Sequence, residues 1–266
     1  MQRVTSRQNP RLREASRLLT SSRERREAGR CVLEGEHLVA VYCERVGPPE
    51  LLIVVDEARD DPAIAALVAN VPPSATLAVP RAIFADLATL PADIGVLAVV
   101  PSPAPAPAPP ADFCVLLENV QDPGNVGSIL RSAAAAGVRQ VLMSEGSAFA
   151  WSPKVLRAGQ GAHFCVDIHE DVDLPTWAAG YRASGGDVVA TVAAGGMSLF
   201  AAPLGSRVAL AIGNEGGGLS DTLAAEATQR VTIPMHAGVE SLNAAAATAV
   251  CLFECVRQRS AAKPHR

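Results

Sequence analysis

Aromatic residues are scarce in this chain, at 4% of 266 residues, so a buried core has to be built mainly from Ala, Val, Leu and Ile. Metal and redox signatures are missing too. The six cysteines (Cys31, Cys43, Cys114, Cys165, Cys251 and Cys255) form no CxxC pair, and none stands at ligand spacing from a His. They read as small buried hydrophobes, and no metal is expected. No apolar run reaches the roughly 18 residues of a membrane span. The N-terminal stretch MQRVTSRQNPRLREASRLL lacks the apolar core of a secretory signal, so the expectation is a cytoplasmic protein with no membrane partner. Two nucleotide signatures are absent as well. GNVG at 124–127 does not have GxGxxG spacing, and the glycine run at 213–218 lacks the Lys-Ser/Thr of a phosphate loop. A dinucleotide-dependent Rossmann enzyme and a nucleoside triphosphatase are thereby disfavoured.

The formal charge of −4 is unevenly placed. Residues 1–30 hold nine arginines and three glutamates, a net +6, which leaves −10 on the remainder. A basic arm on an acidic protein points to a polyanion, and arginine suits phosphate because its guanidinium pairs bidentately. The arm carries no interleaved aromatics, so base stacking is not suggested there. The alternative is a solvated, Arg-rich helix.

An Ala/Pro stretch, PSPAPAPAPP at 101–110, divides the chain. Proline fixes φ and removes the amide donor, so this linker is expected to be extended and semi-rigid. The first part reads as mixed α/β. Pro10–Leu19 and Glu34–Glu44 have helical apolar spacing, Pro80–Leu87 is a Pro-opened helix, and Leu51–Val55, Thr76–Val79 and Gly95–Val100 have strand character. The second part alternates strands (Phe113–Leu117, Gln140–Ser144, Val188–Val192, Val208–Ile212, Arg230–Ile233) with helices (Val126–Ala136, Pro153–Gly159, Leu174–Ser184, Leu219–Ala225, Ser241–Arg257). Such alternation with continuous apolar strands implies a mostly parallel sheet covered on both faces. The last helix sets Leu242, Ala246, Ala249, Val250, Phe253 and Val256 on one stripe, to pack on a sheet or a second subunit.

Three segments of the second part combine apolar strands or helices with polar, glycine-bearing joints. They are Leu117–Gly137, Leu210–Ser220 and Ile233–Glu254. Loops at strand ends are where ligands sit in α/β proteins, so the three are expected to build one composite pocket. In the first, a helix opens at Asn125 or Gly127. Asn125 faces the same pocket as Arg131 only if it stands outside that helix; otherwise the pair reads as a cap and a surface arginine. In the second, Glu215 is the one charge of the glycine loop. In the third, Ser241 is a plausible helix cap, while Asn243 in the first turn is not explained by propensity.

Taken in order, NVGSILRSAAAAG, LAIGNEGGGLS and IPMHAGVESLNAAAATAVCLFE resemble the three motifs of the SpoU (TrmH-like) family of RNA 2′-O-ribose methyltransferases. The resemblance covers most of 112–257, including the spacing from IPM to SLN. VTSRQNPRLREASRLL, VLEGEHLV and IFADLATLPADIGVLAVV are similar to parts of the family's substrate-binding domain. It implies a SPOUT-type α/β fold, a parallel sheet with a C-terminal trefoil knot. Before it comes a small α/β, ribosomal-protein-like RNA-binding domain. The boundaries are then 1–100 for the RNA-binding domain, 101–111 for the linker and 112–266 for the methyltransferase domain. It also implies a homodimer through the SPOUT domain, and S-adenosylmethionine as cofactor, contacted by Gly213, Ile233 and Leu242, with Thr191 and Asn214 as further candidates. Catalytic roles fall by motif position on Arg131, with Asn125, Glu215, Ser241 and Asn243 building the pocket. Arg7, Arg11 and Arg13, and Lys154 and Arg157 of SPKVLRAGQGAHF, become candidate RNA contacts. Gly217 departs from the family pattern, where many relatives carry a polar side chain. The activity implied is methylation of a ribose 2′-hydroxyl, with 23S rRNA favoured; the alternatives are a tRNA ribose methyltransferase and a non-catalytic ribosome assembly factor of the same fold.

Overall fold

The computed structural model describes residues 1–90, 94–103, 109–237 and 241–261. The central part of the Ala/Pro linker, 104–108, and residues 238–240 of the third segment lie outside the described residues. The chain divides into two compact units, Met1–Ala104 with Trp151–Phe164, and Pro105–Ala150 with Cys165–Arg266.

The first unit contains β1 (Gln2–Arg3), α1 (Pro10–Thr20), α2 (Ser22–Ala28), β2 (Arg30–Glu34), α3 (Glu36–Arg45), β3 (Leu51–Val55), α4 (Pro62–Ala69), β4 (Thr76–Val79), α5 (Arg81–Leu87) and β5 (Val96–Pro101). Its sheet has the order β1-β4-β3-β5-β2, with β1, β4 and β3 parallel and β5 antiparallel to both of its neighbours. The start of α1 follows from its sequence: Asn9 accepts the Arg11 amide, and Pro10 stands at the first helical position, where its missing N–H is harmless. Leu12, Ala15, Leu18 and Leu19 then fall on one face and bury against Val32, Ile53, Leu77, Leu97 and Phe84. Sequence spacing missed α2, α4 and β2. Glu34, read as the start of a helix, instead ends β2, and α3 begins after the positive-φ Gly35.

The second unit contains β6 (Phe113–Leu117), α6 (Pro123–Ala135) and β7 (Gln140–Met143). Next in the chain comes α7 (Pro153–Gly159), which packs with the first unit. The second unit continues with β8 (Asp167–His169), α8 (Leu174–Ala183), β9 (Asp187–Thr191), β10 (Met197–Ser198), β11 (Val208–Ile212), α9 (Asp221–Ala225), β12 (Gln229–Thr232) and α10 (Ala244–Ala261). Its seven-stranded sheet has the order β10-β12-β9-β11-β6-β7-β8, and every pairing is parallel. β6 and β11 are buried along their whole length, as a sheet covered on both faces requires. Cys114, Leu116, Ala209 and Ala211 pack against Leu174, Ala178 and Tyr181 of α8 and Leu223 of α9. The helices α6 and α10 lie against each other, and α10 also touches β11.

The compact units divide the chain differently from the expected boundary. A continuous 112–266 domain does not match the compact units, because Trp151–Phe164 packs with residues 1–104. The reason is local. α7 lies on β2, Phe164 meets the Tyr42 ring edge-on at 5.1 Å, and Arg157 reaches the Glu34 carboxylate at 3.6 Å. Helical spacing identified α7 but carries no information about which sheet it covers. On α10 the two apolar faces have different surroundings. Its buried residues are Thr248, Cys251, Leu252, Glu254 and Cys255, whereas Leu242, Val250 and Phe253 of the expected stripe are 40%, 36% and 50% exposed. The Cys251/Leu252/Cys255 face is the one buried within the unit, and the Leu242/Val250/Phe253 face is left bare.

Burial pushes the thiols of Cys31, Cys114 and Cys251 up to about 12 and that of Cys255 to about 11, while Cys165 is exposed. A thiolate is the reactive form. With an aromatic disulfide reagent at pH 8, Cys165 is expected to react first and Cys43, half-buried, more slowly. The other four should react only on unfolding. Rapid labelling of Cys31 or Cys251 in the native protein would contradict the packing described.

Candidate active site

In an all-parallel run of strands, every carboxyl end lies on one edge of the sheet. The residues that follow β6, β9, β11 and β12 therefore emerge together, and three of them are the starts of the joints singled out above.

After β6, Asp122 caps α6 by accepting the Asn125 amide at 2.8 Å, with Pro123 at the first helical position. The helix thus opens two residues before the earlier of its expected starts, and Asn125 lies inside its first turn. After β11, the chain makes a tight loop closed by reciprocal backbone bonds between Asn214 and Gly218, at 2.9 and 2.8 Å. The Asn214 side chain braces this loop. Its oxygen accepts the amides of Gly216 and Gly217, and its Nδ2 donates to the Asn119 carbonyl at 2.8 Å. Gly213 has no room for a side chain, since a Cβ there would stand 2.1 Å from the Gly218 carbonyl carbon. After β12, the chain returns to α10, where the Asn243 oxygen accepts the amides of Ala245 and Ala246. Asn243, not Ser241, is the cap. Its position is explained by capping rather than by helix propensity.

The three joints then close on one another through side chains. Asn243 donates from Nδ2 to Asn125 Oδ1 at 2.8 Å, and Asn125 donates from Nδ2 to Glu215 Oε1 at 2.8 Å. One residue from each segment forms a single directional chain, amide to amide to carboxylate. Its two ends are fixed by different means. Asn243 is held by the amides of the helix it caps, and Glu215 by a loop that Asn214 braces.

The other expected site residues lie as follows. Arg131 is exposed and has no side-chain partner among the described residues. Six residues along a helix turn the side chain about 240°, so Arg131 leaves α6 about 120° from Asn125. Because Asn125 is helical, the two do not share a face. The Thr191 hydroxyl donates to the Ala211 carbonyl at 2.9 Å, tying β9 to β11, so its proton is committed within the sheet. Asn214 is likewise fully engaged in the loop it braces. Ser241 is exposed. In the first unit, Arg157 is bound to Glu34 and Thr89, Arg7 to Asp86, and Arg11 to the Ser74 carbonyl, whereas Lys154 and Arg13 are exposed.

Sequence reasoning missed Glu118. It directly follows β6, is only 6% exposed, and accepts both the amide and the hydroxyl of Ser220 at 2.7 and 2.6 Å. This fastens the exit of the glycine loop to the end of β6, and Ser220 in turn caps α9. The available signal was a carboxylate placed directly after five apolar residues.

The family model of the SpoU rRNA Methylase family matches residues 112–253. The chain belongs to this family. Along its length it is 29% identical over 260 residues to the 23S rRNA (guanosine(2553)-2′-O)-methyltransferase RlmP of Bacillus subtilis, covering 95% of this chain and 98% of the relative. Among solved SpoU structures, the methyltransferase AviRb from Streptomyces viridochromogenes in complex with AdoMet superposes with a TM-score of 0.83 at 28% identity, over 96% of this chain and all of that one. An RNA 2′-O ribose methyltransferase superposes with a TM-score of 0.82 at 30% identity, over 97% and 99%. The matched span of the SpoU model includes α7 and its flanks, although they pack with the first unit.

Capping and bridging by Asn243 are separable. Asn243→Asp keeps an acceptor for the Ala245 and Ala246 amides but replaces the donor facing Asn125 Oδ1 with a second acceptor. Its melting temperature is expected to stay near wild type, while the methyl-transfer rate falls on the order of a hundredfold through misplacement of the joint. Asn243→Ala is expected to lose both, with about 1 kcal/mol of stability removed with the cap. Equal transfer rates for Asn243→Asp and wild type would show that the bridge is not needed.

Proposed function

We propose that this protein is an S-adenosylmethionine-dependent RNA 2′-O-ribose methyltransferase acting on ribosomal RNA, with 23S rRNA as substrate, in the cytoplasm. The observation that carries this reading is the side-chain chain Asn243–Asn125–Glu215, which ties the three family motifs into one site at the carboxyl edge of the sheet. The full-length likeness to a relative named for methylating 23S rRNA favours rRNA over tRNA.

The cofactor suits the residues present. No backbone hydrogen bond among the described residues uses Gly213, Ile233 or Leu242, so their amides and carbonyls are available to a nucleoside and an amino-acid group. Gly213 brings bare backbone to that edge. Bound there, S-adenosylmethionine supplies an electrophilic methyl group. The chain's own residues do the rest. Beyond these bonds Asn125 keeps one N–H and one lone pair and Asn243 keeps one N–H, which suits holding a ribose or its phosphate in line for attack. Glu215 fixes the orientation of the Asn125 amide. The 2′-hydroxyl has to lose its proton as it attacks. Arg131, whose guanidinium has no partner in the described residues, reaches the neighbouring phosphate from the adjacent face of α6 and takes the hydroxyl proton only in its neutral form, after desolvation has driven its own proton to solvent. A free guanidinium holds its proton to above about pH 12, so desolvation is a requirement of this role. Ser241 lies two residues from Asn243 and completes the pocket from the third segment.

Two further parts of the reading follow. The exposed Val250 and Phe253 on α10, with Leu242 just before it, support a homodimer in which a second copy covers them. The return of the chain after β12, which sets Asn243 against Asn125, supports the family's trefoil knot.

Tritiated methyl transfer to 23S rRNA and to tRNA, both from a strain lacking the gene, tests the function. Label should enter 23S rRNA as an alkali-stable ribose methyl. Arg131→Ala should bind S-adenosylmethionine within twofold of wild type but transfer at least about a hundredfold more slowly. Cofactor binding without transfer to either RNA by the wild type would leave a non-catalytic assembly factor as the better reading.

A further inference from the structure

The structure accounts individually for most of the arginines of the basic N-terminal stretch. Arg3 pairs with Asp56, Arg7 with Asp86, Arg23 with Glu27 and Arg30 with Glu14, while Arg11 and Arg25 donate to main-chain carbonyls at Ser74 and Leu18. The charge inferred from composition is thus largely committed to holding the unit together. Two arginines on α1 stand apart. Arg13 is exposed with no partner among the described residues, and Arg17 comes no nearer than 3.8 Å to a carboxylate, that of Glu24. They are four residues apart and so lie on one helix face, where like charges repel. Both line a groove of about 290 Å³ between α1 and α5. Arg7 and Asp86 neutralise each other at 2.5 Å within it, so the net charge of the residues lining the groove is that of Arg13 and Arg17, with the Glu24 carboxylate 3.8 Å from Arg17 outside the lining. Ile83 and Leu87 provide an apolar wall, and no aromatic ring lines it.

We propose that this groove anchors the sugar–phosphate backbone of the RNA on the first unit. Arg13 and Arg17 bind successive phosphates, the Ser16 hydroxyl is a further donor, and the apolar wall receives ribose faces. Without an aromatic platform the groove does not stack bases, so it anchors RNA without reading its sequence. This rests on the RNA methyltransferase reading above, and it narrows the RNA-contacting set from the whole basic stretch to one face of α1.

The test is filter binding of the full-length protein to unmodified, in vitro transcribed 23S rRNA over a range of salt, with methyl-transfer kinetics in parallel. Each phosphate contact on single-stranded RNA contributes roughly 0.7 to the slope of log affinity against log salt. Arg13→Ala/Arg17→Ala should therefore lower that slope by about 1.4 and raise the KM for RNA. The kcat at saturating RNA and the affinity for S-adenosylmethionine should not change. Arg13→Lys/Arg17→Lys should restore most of the slope, and Arg23→Ala, removing a paired charge, should leave it unchanged. An unchanged slope in the double alanine variant, or an equal loss in Arg23→Ala, overturns the groove while leaving wild-type transfer intact. Failure of the wild type to bind or methylate RNA overturns instead the functional reading on which the groove depends.

Discussion

The site depends on the side-chain amide of Asn125. Among the described residues it is the one group that both accepts from the third segment, through Asn243, and donates to the second, through Glu215. An amide is the side chain suited to this place, because it presents an acceptor and a donor a fixed distance apart. A carboxylate there would meet Glu215 with like charge, and a hydroxyl would not span the two partners. The rest of the unit can be understood as holding that amide still. Asp122 fixes the turn of α6 that carries it, Asn214 braces the loop that carries Glu215, and Glu118 fastens the exit of that loop through Ser220.

These braces are the polar counterpart of a largely aliphatic core. With aromatics so scarce, the parallel sheet is buried under Leu, Val, Ile, Ala and Cys, which pack well but specify little about loops at its edge. Orientation at the edge is therefore set by buried or half-buried polar groups with several partners each. Glu118 and Asn214 illustrate this: neither is free to contact a ligand with the atoms that do the bracing, yet both decide where Glu215 stands. The Thr191 hydroxyl serves in the same way between β9 and β11.

Much of the second unit was legible in the sequence, because a doubly covered parallel sheet writes itself as continuous apolar runs. β6 and β11 begin and end where those runs do. That the three joints meet was legible for a related reason, since parallel strands force their carboxyl ends to one edge. What was not legible depended on rotation or on distant partners. The outward face of α10 follows from which of its two apolar stripes meets the rest of the unit, and both stripes have helical spacing. The separation of Arg131 from Asn125 turns on a helix start two residues early, set by the Asp122 cap. The attachment of α7 to the first unit rests on β2, Tyr42 and Glu34, more than a hundred residues away in the chain. The basic stretch was legible as charge but not as surface, because arginines that pair within the fold look no different in the sequence from those left outside.

The joined motifs are proposed to methylate a ribose in 23S rRNA. Mapping 2′-O-methylation in rRNA from a strain lacking the gene, complemented with wild type or with Asn125→Ala, tests this proposal most directly. One ribose methyl in 23S rRNA is expected to be lost on deletion, to return with the wild type, and not to return with Asn125→Ala produced at the same level. An unchanged methylation map on deletion, or full restoration by Asn125→Ala, would contradict the proposal.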